Sequence, residues 1–225
     1  MSPAALSLPS SFERIKRRGI VQNRLIETAI DCFGRLGFDG ASTRDIARAS
    51  GTAMSSITYH FGGKEGLYLA CADHIAAKIS ERHAASLELT VDAGTIDRET
   101  ALERCLAIID GFAQTMLHPD SENWARFIVR EQQGPTEAFE RLYLGAMKDM
   151  MEGVAALLHV VRPNLAERGR RALMMLIFGQ ALVLRAGRAS VCKALGTEEL
   201  GEEEAALLRA QIRANTIAIL GGGTE

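Results

Sequence analysis

The stretch Ser42–Tyr68, STRDIARASGTAMSSITYHFGGKEGLY, decides the fold. Ser42 suits a helix N-cap, and Asp45 three residues on supplies the acidic half of a capping box. Ile46 and Ala47 are the packing residues of a short helix that runs to Ser50. Gly51 follows, where a left-handed turn carries no Cβ penalty. A second short helix, about Met54 to His60, opens with the small polar pair Ser55-Ser56, and Ile57 faces back to a small core. Gly62-Gly63 breaks it, and Lys64 opens the next helix. Two short helices across a tight turn make a helix-turn-helix, and the second is the one that enters a major groove.

Upstream, Leu25, Ala29, Cys32 or Phe33, and Leu36 line one face of a helix from about Gly19 to Leu36, ended by Gly37. Arg14, Lys16, Arg17 and Arg18 form a basic lead-in, and the Ser/Pro/Ala-rich residues 1–12 are expected to be disordered. Downstream, helical periodicity continues from Lys64 to about Ser86. It resumes over about 97–117, 121–133, 135–159, 165–187 and 202–220. No alternating strand pattern and no internal repeat is present. The expected fold class is all-α: an N-terminal three-helix helix-turn-helix domain plus a helical bundle, about nine helices in all. The domains are expected as a disordered, basic arm over 1–17, a helix-turn-helix domain over 18–66, and a ligand-binding and dimerisation domain over 67–225.

Composition narrows the function. The chain has 225 residues, 47% hydrophobic and 24% charged, which suits a soluble globular protein. Cys32, Cys71, Cys105 and Cys192 lie far apart, without a CxxC pair, and read as core residues in a reducing compartment. The first residues lack the features of a signal peptide. The longest apolar run, Ala172–Leu184, is too short to span a bilayer. A cytoplasmic protein with no membrane partner is expected. Net charge is −2, but residues 1–64 carry nine Lys/Arg against five Asp/Glu, leaving 17 against 23 for the rest. That asymmetry points to an anionic partner at the N-terminal end. His60, His74, His83, His118 and His159 share no metal-ligand spacing. Neither GxSxG nor a Walker A sequence is present. No catalytic residue, metal or cofactor is expected, and the chain does not read as an enzyme.

The helix-turn-helix stretch resembles the TetR family of bacterial repressors. Phe33, the turn Gly37-Phe38-Asp39-Gly40, Ser42-Thr43, Ile46-Ala47, Gly51, Tyr59-His60-Phe61, Lys64-Glu65 and Leu67 fall where that family places similar residues. The resemblance covers about residues 18–70. It departs at Thr58, where a tyrosine is frequent in the family. Residues 130–139, REQQGPTEAF, and Phe178-Gly179-Gln180 are similar to the YbiH/CecR-like branch. By position, the resemblance implies phosphate contacts from Thr43, Ser56, Tyr59, His60 and Lys64. It implies groove-facing roles for Arg44, Met54, Ser55 and Thr58. Of these four, Arg44 alone can make a bidentate contact to guanine. The implied function is a dimeric, sequence-specific repressor that binds double-stranded DNA at a pseudo-palindromic operator and is released by a small-molecule effector.

In the C-terminal half, large flexible apolar residues are candidates for a pocket wall or for plain core: Trp124, Phe127, Tyr143, Met147, Met150, Met174 and Phe178. Arg130 and Glu131 follow Phe127 at i+3 and i+4 and would share its side of the helix. There an arginine either meets an anionic ligand or makes a structural salt bridge. The eighth predicted helix is apolar around most of its circumference between Ala172 and Leu184. The ninth carries Ala206, Leu207, Ala210, Ile217 and Leu220 at near-helical spacing. These two helices from each subunit would form a four-helix homodimer interface.

Overall fold

Helical periodicity translates directly into helices in the computed structural model, which describes residues 11–221. Helix α1 (Ser11–Gly40) is broken at Gly37, whose φ of 78° and ψ of 173° are not helical. Then come α2 (Thr43–Ser50), α3 (Met54–Phe61) and α4 (Lys64–Arg82). The C-terminal half contains α5 (Ala84–Glu88), a 3-10 turn (Ala93–Thr95), α6 (Arg98–Leu117) and α7 (Ser121–Gln133). It continues with α8 (Glu137–Leu142), a π turn (Tyr143–Met147), α9 (Lys148–Val161), α10 (Glu167–Ala186), α11 (Arg188–Leu195) and α12 (Glu202–Gly221). Among the described residues there is no strand, so the all-α class stands.

Two cores organise these helices. The first gathers Leu25, Phe33, Ile46, Ile57, Leu67 and Ile75 from α1 to α4 and closes over Phe127 of α7 and Leu142 of α8. The second joins α6, α9, α10 and α12 around Ile108, Leu157, Leu158, Ile177 and Leu220. The first core therefore crosses the expected boundary at residue 66, and α7 belongs to the head as much as to the bundle. Trp124 packs against both cores. All four cysteines are buried and free.

Several local expectations are corrected. The expected N-terminal arm is helical from Ser11, while residues 1–10 lie outside the described residues. Ser42 occupies the N-cap of α2 without a side-chain cap bond, and the Asp45 carboxylate pairs with Arg48 at 2.6 Å instead of closing a capping box. The helix expected from Lys64 to Ser86 stops at Arg82. The segments α5 and α11 add to the nine expected helices; the rod expected over 135–159 is α8, the π turn and α9 in series. Caps at Asp97, accepting from the Thr100 amide at 2.7 Å, and at Thr136, accepting from the Ala138 amide at 3.1 Å, set the starts of α6 and α8. Among the described residues no single helix is long and apolar enough to cross a membrane, and no cluster of His, Cys, Asp and Glu is arranged to hold a metal.

Candidate nucleic-acid interface and the joint behind it

The turn between α2 and α3 is built on Gly51, at φ 67° and ψ 32°, whose N–H donates to the Arg48 carbonyl at 3.2 Å. Arg24 of α1 donates from Nε to the Ser50 carbonyl at 2.8 Å and from a second guanidinium nitrogen to the same oxygen. A side chain at position 51 would collide with that guanidinium. The turn is therefore fixed to α1. At its other end α3 meets α4 so closely that a Cβ on Gly66 would lie inside the van der Waals envelope of the Phe61 carbonyl oxygen.

Held at both ends, α3 divides into two faces. Ile57 is 1% exposed in the head core. Met54, Ser55, Thr58, Tyr59 and His60 are exposed on the outside. Tyr59 is 75% exposed and meets the His60 ring edge-on at 4.9 Å between centroids. Arg44 of α2 is exposed, while Thr43, Ser56 and Lys64 are half-buried. Lys64 Nζ lies 4.7 Å from the Phe38 ring centroid and donates to the Asp39 carbonyl at 3.3 Å. The nine residues expected at DNA thus sit on α2, α3 and the first residue of α4.

The effector residues behave differently. Arg130 lines neither the apolar void beside Met174 nor the open cleft beside Trp124. Its Nε and a terminal nitrogen donate to the carbonyls of Gly34 and Arg35, each at 2.7 Å, just before the break in α1. Glu131 is 2% exposed; it accepts from the Tyr68 hydroxyl at 2.6 Å, and from the amide and hydroxyl of Thr136 at 3.1 and 2.8 Å. Burial and the adjacent Glu131 carboxylate push the Tyr68 phenol up. Phe127 is fully buried against the Tyr68 ring at 4.6 Å, which in turn meets Phe33 edge-on at 4.9 Å. These three α7 residues join the helix-turn-helix head to the bundle. Tyr68 and Arg24 were missed in the sequence. A tyrosine in step with buried Cys71 and Ala72 needs a hydrogen-bond partner, which is the signal that would have found it; nothing in the sequence marks Arg24.

The remaining candidates divide between the cores. Met147 packs on the first, and Met150, Met174 and Phe178 belong to the second. Tyr143 stacks on Phe139 at 6.2 Å in the π turn. Met174 and Phe178 border a void of about 10 Å³. Trp124 instead lines an open cleft of about 480 Å³ between α1, α4 and α7.

Residues 25–71 match the bacterial regulatory proteins of the tetR family. Residues 101–223 match the C-terminal domain of the HTH-type transcriptional dual regulator CecR. The chain is 30% identical over 205 residues, 89% of its length and 92% of the relative's, to the HTH-type transcriptional dual regulator CecR of Shigella flexneri. It is 32% identical over 165 residues, 72% of its length and 69% of the relative's, to the HTH-type transcriptional regulatory protein RaaS of Mycobacterium tuberculosis. Its fold matches that of the transcriptional regulator FadR from Bacillus subtilis in complex with stearoyl-CoA, with a TM-score of 0.60 at 13% identity, covering 89% of this chain and 98% of that one. The helix-turn-helix head and the helical bundle behind it place the chain in the TetR family of transcriptional regulators, in the group that carries the CecR-type C-terminal domain.

Proposed function

We propose that two copies of the chain bind a pseudo-palindromic operator as a repressor and leave it when the C-terminal half takes up a small molecule. The observation that carries this reading is α3: pinned at both ends, it buries Ile57 and turns Met54, Ser55, Thr58 and Tyr59 outward. Thr43, Ser56, Tyr59, His60 and Lys64 would contact phosphate; Arg44, Met54, Ser55 and Thr58 would face the groove. Two copies of α3 would enter successive major grooves about 34–36 Å apart.

Dimerisation is supported by an apolar stripe left exposed on the predicted pair of C-terminal helices. Met175, Leu176, Leu182 and Val183 of α10 and Leu207 and Ile217 of α12 are all more than two-fifths exposed. The spacing is helical, and a second copy would cover it as a four-helix bundle. An effector is supported by the methionine-rich second core, where Met174 and Phe178 border the small void and can repack around an apolar ligand. The stearoyl-CoA bound by the Bacillus subtilis fold neighbour carries a long apolar acyl chain on a polar, anionic head. The chain works as a regulator in the cytoplasm, without enzymatic turnover.

Selection of bound duplexes from a random pool by the purified full chain tests this reading. A pseudo-palindromic motif is the expected result. A folded protein that retains no motif overturns it.

A further inference from the structure

The cleft of about 480 Å³ lies at the edge of the first core, at the joint between head and bundle. Its accessible apolar walls are Ile79 of α4 and the indole of Trp124 on α7, with the buried Ile30 of α1 and Ile75 of α4 behind them. Its size falls within the range of small-molecule sites, about 300–1,000 Å³. The charges on its rim are unevenly satisfied. Lys78 is bonded to Glu27, which also meets His74 at 3.1 Å. Arg82 faces Asp120 at 3.4 Å. Both lining cations are therefore committed to carboxylates. The Glu81 carboxylate, also lining the cleft, has no cationic partner among the described residues.

We propose that this cleft binds an amphipathic organic cation, a protonated or quaternary amine on an apolar body. The body would lie against Ile79 and the Trp124 indole. The ammonium would sit between the Trp124 ring and Glu81, where a ring face and an unpaired carboxylate both favour positive charge. An anion would have to displace Glu27 from Lys78 or Asp120 from Arg82. The site is separate from the apolar void around Met174.

The location gives occupancy a consequence. The ligand would touch α1, α4 and α7 together. Farther along α7, Arg130 holds the end of α1 and Glu131 holds Tyr68 of α4. Filling the cleft would shift α7 against both head helices and so change the spacing of the two α3 helices. This second step rests on the repressor reading above; binding does not.

Trp124 is the single tryptophan of the chain, so its fluorescence reports the cleft directly. The test titrates the full chain with phenylbutylammonium, phenylbutyrate and phenylbutanol, which share one body and differ in charge. The expected result is saturable quenching with the ammonium bound about tenfold tighter than the carboxylate, an advantage that disappears in Glu81→Gln. Equal affinity for cation and anion, or no saturable quenching by the ammonium, overturns the site. Charge preference that survives Glu81→Gln overturns the assigned carboxylate. Retention on the selected duplex is then measured with and without the ammonium. Quenching with unchanged retention overturns the coupling while the site stands. Failure to select any duplex is a failure of the repressor reading and leaves the fluorescence result intact.

Discussion

The Tyr68 hydroxyl donates a 2.6 Å hydrogen bond to the Glu131 carboxylate, and both groups are buried. Tyr68 lies in the first turns of α4, directly after the helix-turn-helix, and Glu131 lies near the end of α7. Tyr68→Phe removes a donor from a carboxylate that then keeps only Thr136. The expected loss is about 1–3 kcal/mol of stability, read as a lower urea midpoint with an unchanged slope. A cycle with Glu131→Gln should show a coupling of about 0.5–3 kcal/mol. Additive effects would mean that the bond contributes nothing of its own.

Arg130 is the second point of the same joint. Its planar fork spans two successive carbonyls at the end of α1's regular part, and a lysine ammonium cannot reproduce that geometry. Arg130→Lys and Arg130→Ala should therefore behave alike. Amide exchange around residues 35–41 should speed up about tenfold, while α10 and α12 keep their protection. Equal exchange in both regions would show that the guanidinium does not hold the head.

The roles of Arg130 and Glu131 mark where reading the sequence stops. Their i+3 and i+4 spacing from Phe127 correctly places them on one side of a helix. Whether that side meets a ligand or another helix depends on partners 96 and 63 residues away, which periodicity does not encode. The long helices were legible because their apolar faces repeat over several turns. The five-residue α5 and eight-residue α11 were not. So few turns carry too little period, and α11 bends by 82° from α10 at Gly187. The outer face of α3 was legible because one buried residue, Ile57, fixes the orientation of a helix only eight residues long.

Gly66→Ala tests how rigidly α3 is set on α4. The added methyl would meet the Phe61 carbonyl, so the last turn of α3 must move away. Overpacking of this kind costs about 1–3 kcal/mol or more. Retention of selected DNA should be lost, while sedimentation shows an unchanged oligomer, since α10 and α12 lie in the other core. Wild-type retention would mean that the α3–α4 turn adapts without consequence.

Lys64, Tyr59 and Arg44 separate three kinds of contact. Lys64→Ala should lower the salt-dependence slope of DNA binding by about 0.9 if the ammonium reaches a phosphate. If it stays over Phe38 instead, stability falls by about 0.5–1 kcal/mol with the slope unchanged. Tyr59→Phe removes a neutral donor, so affinity should fall evenly across sequences by about 0.5–1.5 kcal/mol at constant slope. Arg44→Ala should relax preference at one base position by about 1–3 kcal/mol. A uniform loss would reassign Arg44 to the backbone.

The exposed stripe on α10 and α12 gives the last prediction. Leu176 is 70% exposed and Leu207 is 58% exposed, so each buries less than half of its surface in a single copy. Leu176→Glu or Leu207→Glu should leave the thermal transition of the monomer intact. In a two-fold bundle, each substitution would bury two unpaired carboxylates across the axis. At about 3 kcal/mol or more, the penalty weakens self-association about a hundredfold or more. Sedimentation velocity should then show monomer at micromolar concentration. Affinity for a full pseudo-palindrome should collapse toward that for a half-site, because the two α3 helices would no longer be tethered. If Leu176→Glu and Leu207→Glu both sediment as the parent does, the subunits meet elsewhere and the apolar stripe serves another contact.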